Sequence, residues 1–176
     1  NTTKYDDRFD GNSDGSAIDI EAEANKLCNA EFELAHQQLF VRNFLSFQTP
    51  YNSLLLYHGL GTGKTCSAIG VSEEMRDYLK RIGTKPKTQK IIIVASPNVQ
   101  KNFELQLFDE RKLEKKNGIW NIQNCVGNKF LKEINQEINP EYIKDIPKKN
   151  IIRQIKNIIN NSYLFIGYGQ LANWIA

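Results

Sequence analysis

Cysteine and histidine are scarce in this chain, with three of the first (Cys28, Cys66, Cys125) and two of the second (His36, His58) in 176 residues. No Cys-x-x-Cys pair occurs, and neither histidine has a partner at metal-ligand spacing. That argues against a zinc ribbon or finger, and an odd number of widely spaced cysteines points to a reducing compartment. No apolar run approaches about 18 residues, so no membrane span is expected. The chain also opens without a signal-peptide pattern, and the expected location is cytoplasmic. Internal repeats and low-complexity tracts are missing as well.

Net charge is small, +3, but unevenly spread. Residues 1–30 carry Lys4, Arg8 and Lys26 against Asp6, Asp7, Asp10, Asp14, Asp19, Glu21 and Glu23, a net of −4 that leaves +7 on the remainder. Such a balance permits a polyanionic partner, although an ordinary soluble surface has the same character. With 40% apolar and 24% charged residues the composition is that of a globular protein. The length suits one domain, burying roughly 70% of its unfolded surface.

What is present centres on one stretch. The apolar run Ser53-Leu54-Leu55-Leu56-Tyr57 has strand length and leads into His58-Gly59-Leu60-Gly61-Thr62-Gly63-Lys64-Thr65-Cys66, where a helical pattern begins. Gly59, Gly61 and Gly63 lack a Cβ, so the backbone can take positive φ and bring N–H groups close to an anion. Lys64 supplies a point charge for terminal phosphates, and the Thr65 hydroxyl is placed to hold Mg²⁺. The helix starting there adds the positive end of its dipole. Residues His58, Gly59, Leu60, Gly61, Thr62, Gly63, Lys64, Thr65 and Cys66 are thus the candidate nucleotide-binding loop, with Lys64 and Thr65 as candidate catalytic residues. The alternative, a glycine-rich turn with an incidental lysine, is disfavoured by the strand before it and the helix after it. His58 departs from the full motif, which has glycine there.

Residues 1–17 read as a flexible polar lead-in, and a weak helical segment follows over residues 18–27. Residues 32–47 place Phe40, Phe44 and Val41, Leu45 at i, i+4 spacing, the mark of an amphipathic helix. Pro50 breaks it ahead of the strand expected over residues 53–57. A helix is predicted over 65–81, burying Ala68, Ile69, Val71, Met75 and Leu79 and leaving Glu73, Glu74, Arg76 and Lys80 wet. Ile91-Ile92-Ile93-Val94-Ala95 has no alternation, as expected of a strand in the middle of a parallel sheet. Strand, helix, strand at this spacing is a βαβ unit. Residues 99–113 continue as a charged helix. The segment 109–150 is hardest to read, with a short strand expected near 119–123, a short helix near 128–138 and a polar loop over 140–149. A helix from 151, a strand over 162–168 and a helix from 170 complete the pattern.

Together these stretches resemble a known family. A glutamine-bearing helix is followed by His-Gly-Leu-Gly-Thr-Gly-Lys-Thr, then Ile-Ile-Ile-Val-Ala-Ser-Pro-Asn, then Leu-Phe-Ile-Gly-Tyr-Gly-Gln-Leu. This order is similar to the first RecA-like domain of a superfamily 2 helicase. The wording His36-Gln37-Gln38-Leu39-Phe40-Val41-Arg42-Asn43-Phe44, with Leu-Leu-Leu-Tyr before the loop, looks like the helicases of nucleocytoplasmic large DNA viruses. These include the poxvirus nucleoside triphosphatase I and early transcription factor small-subunit types. The resemblance covers about residues 32–108 and 162–173. It implies an α/β P-loop NTPase (RecA-like) fold, a three-layer sandwich with a mainly parallel sheet, incomplete at the C-terminus. Residues 1–30 would be the acidic lead-in and 31–176 a partial ATP-binding domain.

The same resemblance implies ATP and Mg²⁺ as cofactors, with Gln38 or its neighbour Gln37 reading the adenine edge. Gln38 could equally be a solvent-facing helix residue. Ser96, Pro97 and Asn98 would touch a DNA or RNA backbone without reading sequence, as would Tyr168 after Gly167. A turn after a buried strand, and a core tyrosine, are the plainer alternatives. A second RecA-like lobe of the same chain, and transcription or virion proteins, are implied partners, and a viral factory or virion an implied location. No membrane partner is expected.

One feature of the family is missing. Hydrolysis needs an acidic pair after an apolar strand to hold Mg²⁺ and activate water. The single Asp-Glu, Asp109-Glu110, follows a run with helical spacing and reads as helix surface. The chain therefore looks like an N-terminal piece of a longer ATP hydrolase, inactive or weak alone. A non-catalytic P-loop interaction module and a small P-loop kinase or metabolic NTPase remain alternatives. In an open α/β sheet, ligands bind at the carboxyl ends of the strands. The loops at 59–65, 96–98 and 167–168 should accordingly leave neighbouring strands along one rim.

Overall fold

The computed structural model describes residues 34–83, 89–116, 118–137 and 146–176. The expected lead-in and weak helix before residue 34, and residues 140–145 of the loop expected over 140–149, lie outside the described residues, while Lys148 and Lys149 already belong to a helix.

Among the described residues, six helices and four strands follow in order. Helix α1 (His36–Phe44) is short, and turns Val41 and Gln38 inward. Phe44 at its end stacks on Tyr51 with ring centroids 4.3 Å apart. Helix α2 (Lys64–Arg81) starts from Gly63 in the left-handed conformation, φ +79°, and packs along α1. Strand β1 (Ile91–Val94) leads through Ser96 into α3 (Pro97–Leu107), with proline at the first helical position, where its missing N–H costs nothing. Strands β2 (Leu113–Lys116) and β3 (Ile119–Ile122) form an antiparallel hairpin turned at Gly118, φ +80°. Helices α4 (Lys129–Glu137) and α5 (Lys148–Ser162) come next, then β4 (Tyr163–Ile166) and α6 (Tyr168–Ile175).

Strand β4 pairs with β1 in parallel, Ile91 opposite Tyr163 and Val94 opposite Ile166. Pairing of strands so distant in sequence needs a long crossover, and α3, the hairpin, α4 and α5 supply it. The core is built from these pieces: Ile69 of α2, Phe103 and Leu107 of α3, Leu113 and Ile122 of the hairpin, Phe130 and Ile134 of α4, and Ile151 and Ile155 of α5. Spacing of three and four residues places each helical set on one stripe. No described helix is long and apolar enough to cross a membrane.

Three expectations are corrected. Residues 53–57 form no strand: the segment pairs with neither β1 nor β4, and Leu55 and Tyr57 are 87% and 92% exposed. Apolar character can mark a segment that favours extension, but a strand exists only with a hydrogen-bonded neighbour, which composition cannot supply. The parallel sheet consequently has two described strands rather than the broad sheet of a three-layer sandwich, and the architecture is α/β with a small parallel sheet. Strand β1 is also not central, since Ile92 stays half exposed. Second, α2 buries Ser67, Ile69, Gly70, Ser72, Glu73 and Arg76, so two charges expected in water lie inside. Third, the charged helix after β1 stops at Leu107, and residues 113–116 form a strand whose single apolar residue gave no periodic signal.

Candidate nucleotide-binding site

The loop before α2 has the backbone that its glycines allow. Gly61 and Gly63 sit at φ +76° and +79°, a region in which a Cβ would be strained. At Gly63 a Cβ would also collide with the side-chain amide of Gln38. Lys64, Thr65 and Cys66 are the first three residues of α2, so their N–H groups face outward from the positive end of an 18-residue helix. The loop is closed on itself: Thr62 Oγ1 donates to the Gly59 carbonyl over 3.0 Å. Lys64 Nζ donates to the carbonyls of His58 and Gly59 over 3.0 and 2.5 Å. An ammonium has three donors and no acceptor, so these carbonyl oxygens hold it where phosphate oxygens could replace them. The chemistry of the loop fits a polyphosphate. Thr65 offers one hydroxyl for Mg²⁺, and no cluster of three His, Cys, Asp or Glu side chains suited to a metal occurs among the described residues.

Gln38 is drawn into this loop. It is 8% exposed, its Oε1 accepts from the Ala35 N–H over 3.0 Å, and its Nε2 donates to the Gly63 carbonyl over 3.3 Å. Both ends of the amide are engaged, one closing the first turn of α1 and the other holding the loop. Gln37 is exposed.

Ser96, Pro97 and Asn98 lie at the carboxyl end of β1, and Gly167 and Tyr168 at the carboxyl end of β4. Because β1 and β4 are parallel and in register, and the Ala95 N–H continues the ladder to the Ile166 carbonyl at 3.1 Å, both loops leave along one edge. Ser96 to Asn98 are exposed, and Tyr168 is 67% exposed rather than a core residue. Two helix N-termini, of α3 and α6, therefore begin side by side. The third loop, at 59–65, is joined to this edge by no strand of the sheet.

Asp109 and Glu110 are not a helix surface. Asp109 caps a 3₁₀ turn over Glu110–Lys112, accepting from the Arg111 N–H at 3.0 Å, and its carboxylate takes both guanidinium contacts of Arg111 at 2.9 and 2.8 Å. These bonds to Arg111 hold the Asp109 carboxyl down to about 2. Glu110 pairs with Lys156 at 2.7 Å. Neither acid is free.

Two features escaped the sequence reading. Glu73 and Arg76, three residues apart on α2, pair inside the protein at 2.6 Å, and Arg76 reaches Glu133 at 2.8 Å. Lys129 joins Glu73 and Asp77, Lys80 joins Glu133, and Tyr163 donates to Glu73. Burial opposes the charge on Glu73, but Arg76, Lys129 and Tyr163 outweigh it and keep the carboxyl below its ordinary range. The i, i+3 spacing was the available signal, and it is shared by any wet helix face. The second feature is a disulfide between Cys66 and Cys125, against the expectation of a reducing compartment. Partners 59 residues apart leave no spacing pattern to find.

No protein-family model matches the chain, and no solved structure matches it. Curated relatives do. "Putative ATP-dependent RNA helicase L377" of Acanthamoeba polyphaga mimivirus is 26% identical over 141 residues, 80% of this chain and 10% of the relative. "Putative helicase 009L" of Frog virus 3 is 26% identical over 172 residues, 97% of this chain and 15% of the relative. The African swine fever virus protein named "Early transcription factor large subunit homolog" is 42% identical over 55 residues, 31% of this chain and 5% of the relative. The chain thus spans a small fraction of the length of each. This chain is thus a homologue of helicase-named proteins of nucleocytoplasmic large DNA viruses.

Proposed function

We propose that the chain is the ATP-binding lobe, RecA-like in kind, of a superfamily 2 helicase or translocase. The observation that carries this reading is the glycine loop that holds the Lys64 ammonium on the His58 and Gly59 carbonyls at the head of α2. His58, Gly59, Leu60, Gly61, Thr62, Gly63, Lys64, Thr65 and Cys66 would enclose the phosphates of ATP. The Thr65 hydroxyl would bind Mg²⁺, which would offset the charge of the phosphates. Gln38 holds the carbonyl side of Gly63, so its task is to set the loop before the nucleotide arrives. Ser96, Pro97, Asn98 and Tyr168 share an exposed edge suited to a DNA or RNA backbone. A second lobe of the same protein would close on the nucleotide and reopen after hydrolysis. The relative named as an early transcription factor subunit makes transcription proteins reasonable partners.

The test is ATP binding by calorimetry with Mg²⁺. Lys64→Ala should weaken binding by about tenfold or more, the loss expected for one charge-assisted contact. Unchanged affinity would overturn the reading. A non-catalytic module is the second reading, favoured by one observation: Asp109 and Glu110 are both tied up in ion pairs. Such a module need show no Mg²⁺ dependence.

A further inference from the structure

The disulfide joins the first turn of α2, at Cys66, to the turn that carries Cys125. We propose that the Cys66–Cys125 pair is a redox switch on nucleotide binding, the disulfide form binding more tightly than the dithiol form; this rests on the nucleotide-site reading above.

Cys66 is the third residue of α2, directly after Thr65, and belongs to the turn whose N–H groups face the loop. Cys125 sits in the turn between β3 and α4, with its Cα 5.2 Å from that of Cys66. That turn is firmly anchored. The Cys125 N–H donates to the Gln106 carbonyl at 3.3 Å. The buried Asn124 side chain donates to the Leu107 carbonyl at 2.6 Å and accepts from the Val126 N–H at 3.0 Å. The bond therefore staples the anion-facing turn of α2 to a fixed point on the core. A helix N-terminus binds phosphate through the joint aim of several N–H groups. With the staple in place that aim is set beforehand; without it, part of the binding free energy goes into ordering the turn. A groove of about 460 Å³, lined in part by Ile69, Gly70, Glu73, Cys125, Val126 and Lys129, reaches the Cys125 end of the pair and offers a small dithiol an approach from that side.

The chemistry is thiol–disulfide exchange. A dithiol's thiolate attacks one sulfur of the pair, the Cys66–Cys125 bond breaks, and a mixed disulfide forms. The dithiol's second thiol then displaces the remaining cysteine. Two electrons and two protons end on Cys66 and Cys125, and the dithiol leaves as a disulfide. Oxidised glutathione runs the reaction backwards, leaving as two thiols.

The experiment measures ATP affinity of the protein before and after dithiothreitol, with peptide mapping to verify that the bond broken is Cys66–Cys125 and not one involving Cys28. Reduction should raise Kd by about three- to tenfold, and Cys125→Ser should bind like the reduced protein whether or not dithiothreitol is added. Linkage requires the converse: saturating ATP must favour the disulfide by the same factor in a glutathione buffer, making its potential about 14–30 mV more negative. Equal affinity in both states, or tighter binding by the dithiol, overturns the switch and leaves the nucleotide site standing. No ATP binding in either state overturns both. A reduced protein without cooperative unfolding also overturns the switch, because the bond would then only hold the fold together.

Discussion

The Tyr163 hydroxyl donates to Glu73 Oε1 over 2.6 Å and so fastens the first residue of β4 to the middle of α2 across 90 residues of sequence. Burial, followed by the charge on Glu73, pushes the tyrosine's ionisation far above its ordinary range, so it stays a donor throughout. Tyr163→Phe keeps the ring in the core and leaves Glu73 one donor short. The expected cost is about 1–3 kcal/mol, read as a lower urea midpoint with an unchanged m-value. A neutral result would mean that the hydroxyl is dispensable.

Arg76 is the keystone of the same network. It is 3% exposed, flanked by Glu73 and Glu133, and lies over the Phe130 ring at 5.2 Å. Arg76→Met should destabilise by about 3–5 kcal/mol, because two largely buried carboxylates lose their guanidinium partner at once. Restoring balance with Arg76→Met plus Glu73→Gln should recover part of that loss, a non-additivity that a double-mutant cycle measures. Additive losses would argue against a coupled network.

Acid should find this network early. Despite burial, which opposes their charge, Arg76 with Lys129 and Tyr163 lowers the Glu73 carboxyl, and Lys80 with Arg76 lowers Glu133. A carboxyl lowered in the folded state contributes stability that is fully present above its unfolded value, 4.5 for these two, and is lost as pH falls through the folded value. Urea midpoints should hold steady from pH 7 to about 5 and then drop, and Arg76→Met should flatten the drop. A wild-type midpoint that stays level down to pH 3 would contradict the assignment.

How much of this was legible follows from which forces leave a local trace. Helices α4 and α5 and strands β1, β3 and β4 were readable because an apolar stripe or a continuous apolar run is a signal carried by neighbours in sequence, whereas α2 was readable as a helix but not in the face it buries. The backbone of the loop at 59–65 was readable because Gly59, Gly61, Gly63 and Lys64 lie within seven residues. What failed is long-range. Whether residues 53–57 pair depends on a partner strand, whether Glu73 is wet depends on Arg76, Lys129 and Tyr163 arriving together, and the Cys66 partner lies 59 residues away. Gln38 was singled out by resemblance, but its bond to Gly63 required coordinates.

That bond can be tested without removing the side chain. Gln38→Glu keeps an oxygen for the Ala35 N–H and replaces the donor to the Gly63 carbonyl with a second acceptor. Two facing acceptors should loosen the loop by about 1–3 kcal/mol. ATP affinity should fall by about five- to tenfold while helical content by circular dichroism is retained. Loss of affinity in Gln38→Ala but not in Gln38→Glu would instead point to the amide's packing.

The two positive-φ glycines of the loop should not be equivalent. At Gly61 an added Cβ meets no atom within 4 Å, so alanine there carries the left-handed backbone cost alone, about 1–2 kcal/mol. At Gly63 the same φ cost is joined by a collision with the Gln38 amide, which cannot retreat without giving up the Gly63 carbonyl or the Ala35 N–H. Gly63→Ala should therefore weaken ATP binding by about two- to tenfold more than Gly61→Ala, the net worth of one neutral hydrogen bond. Adding Gln38→Ala to Gly63→Ala should relieve the clash and close part of that gap, while the φ cost common to both sites remains. If the two alanine variants lose affinity equally, the Gln38 contact plays no part in shaping the loop.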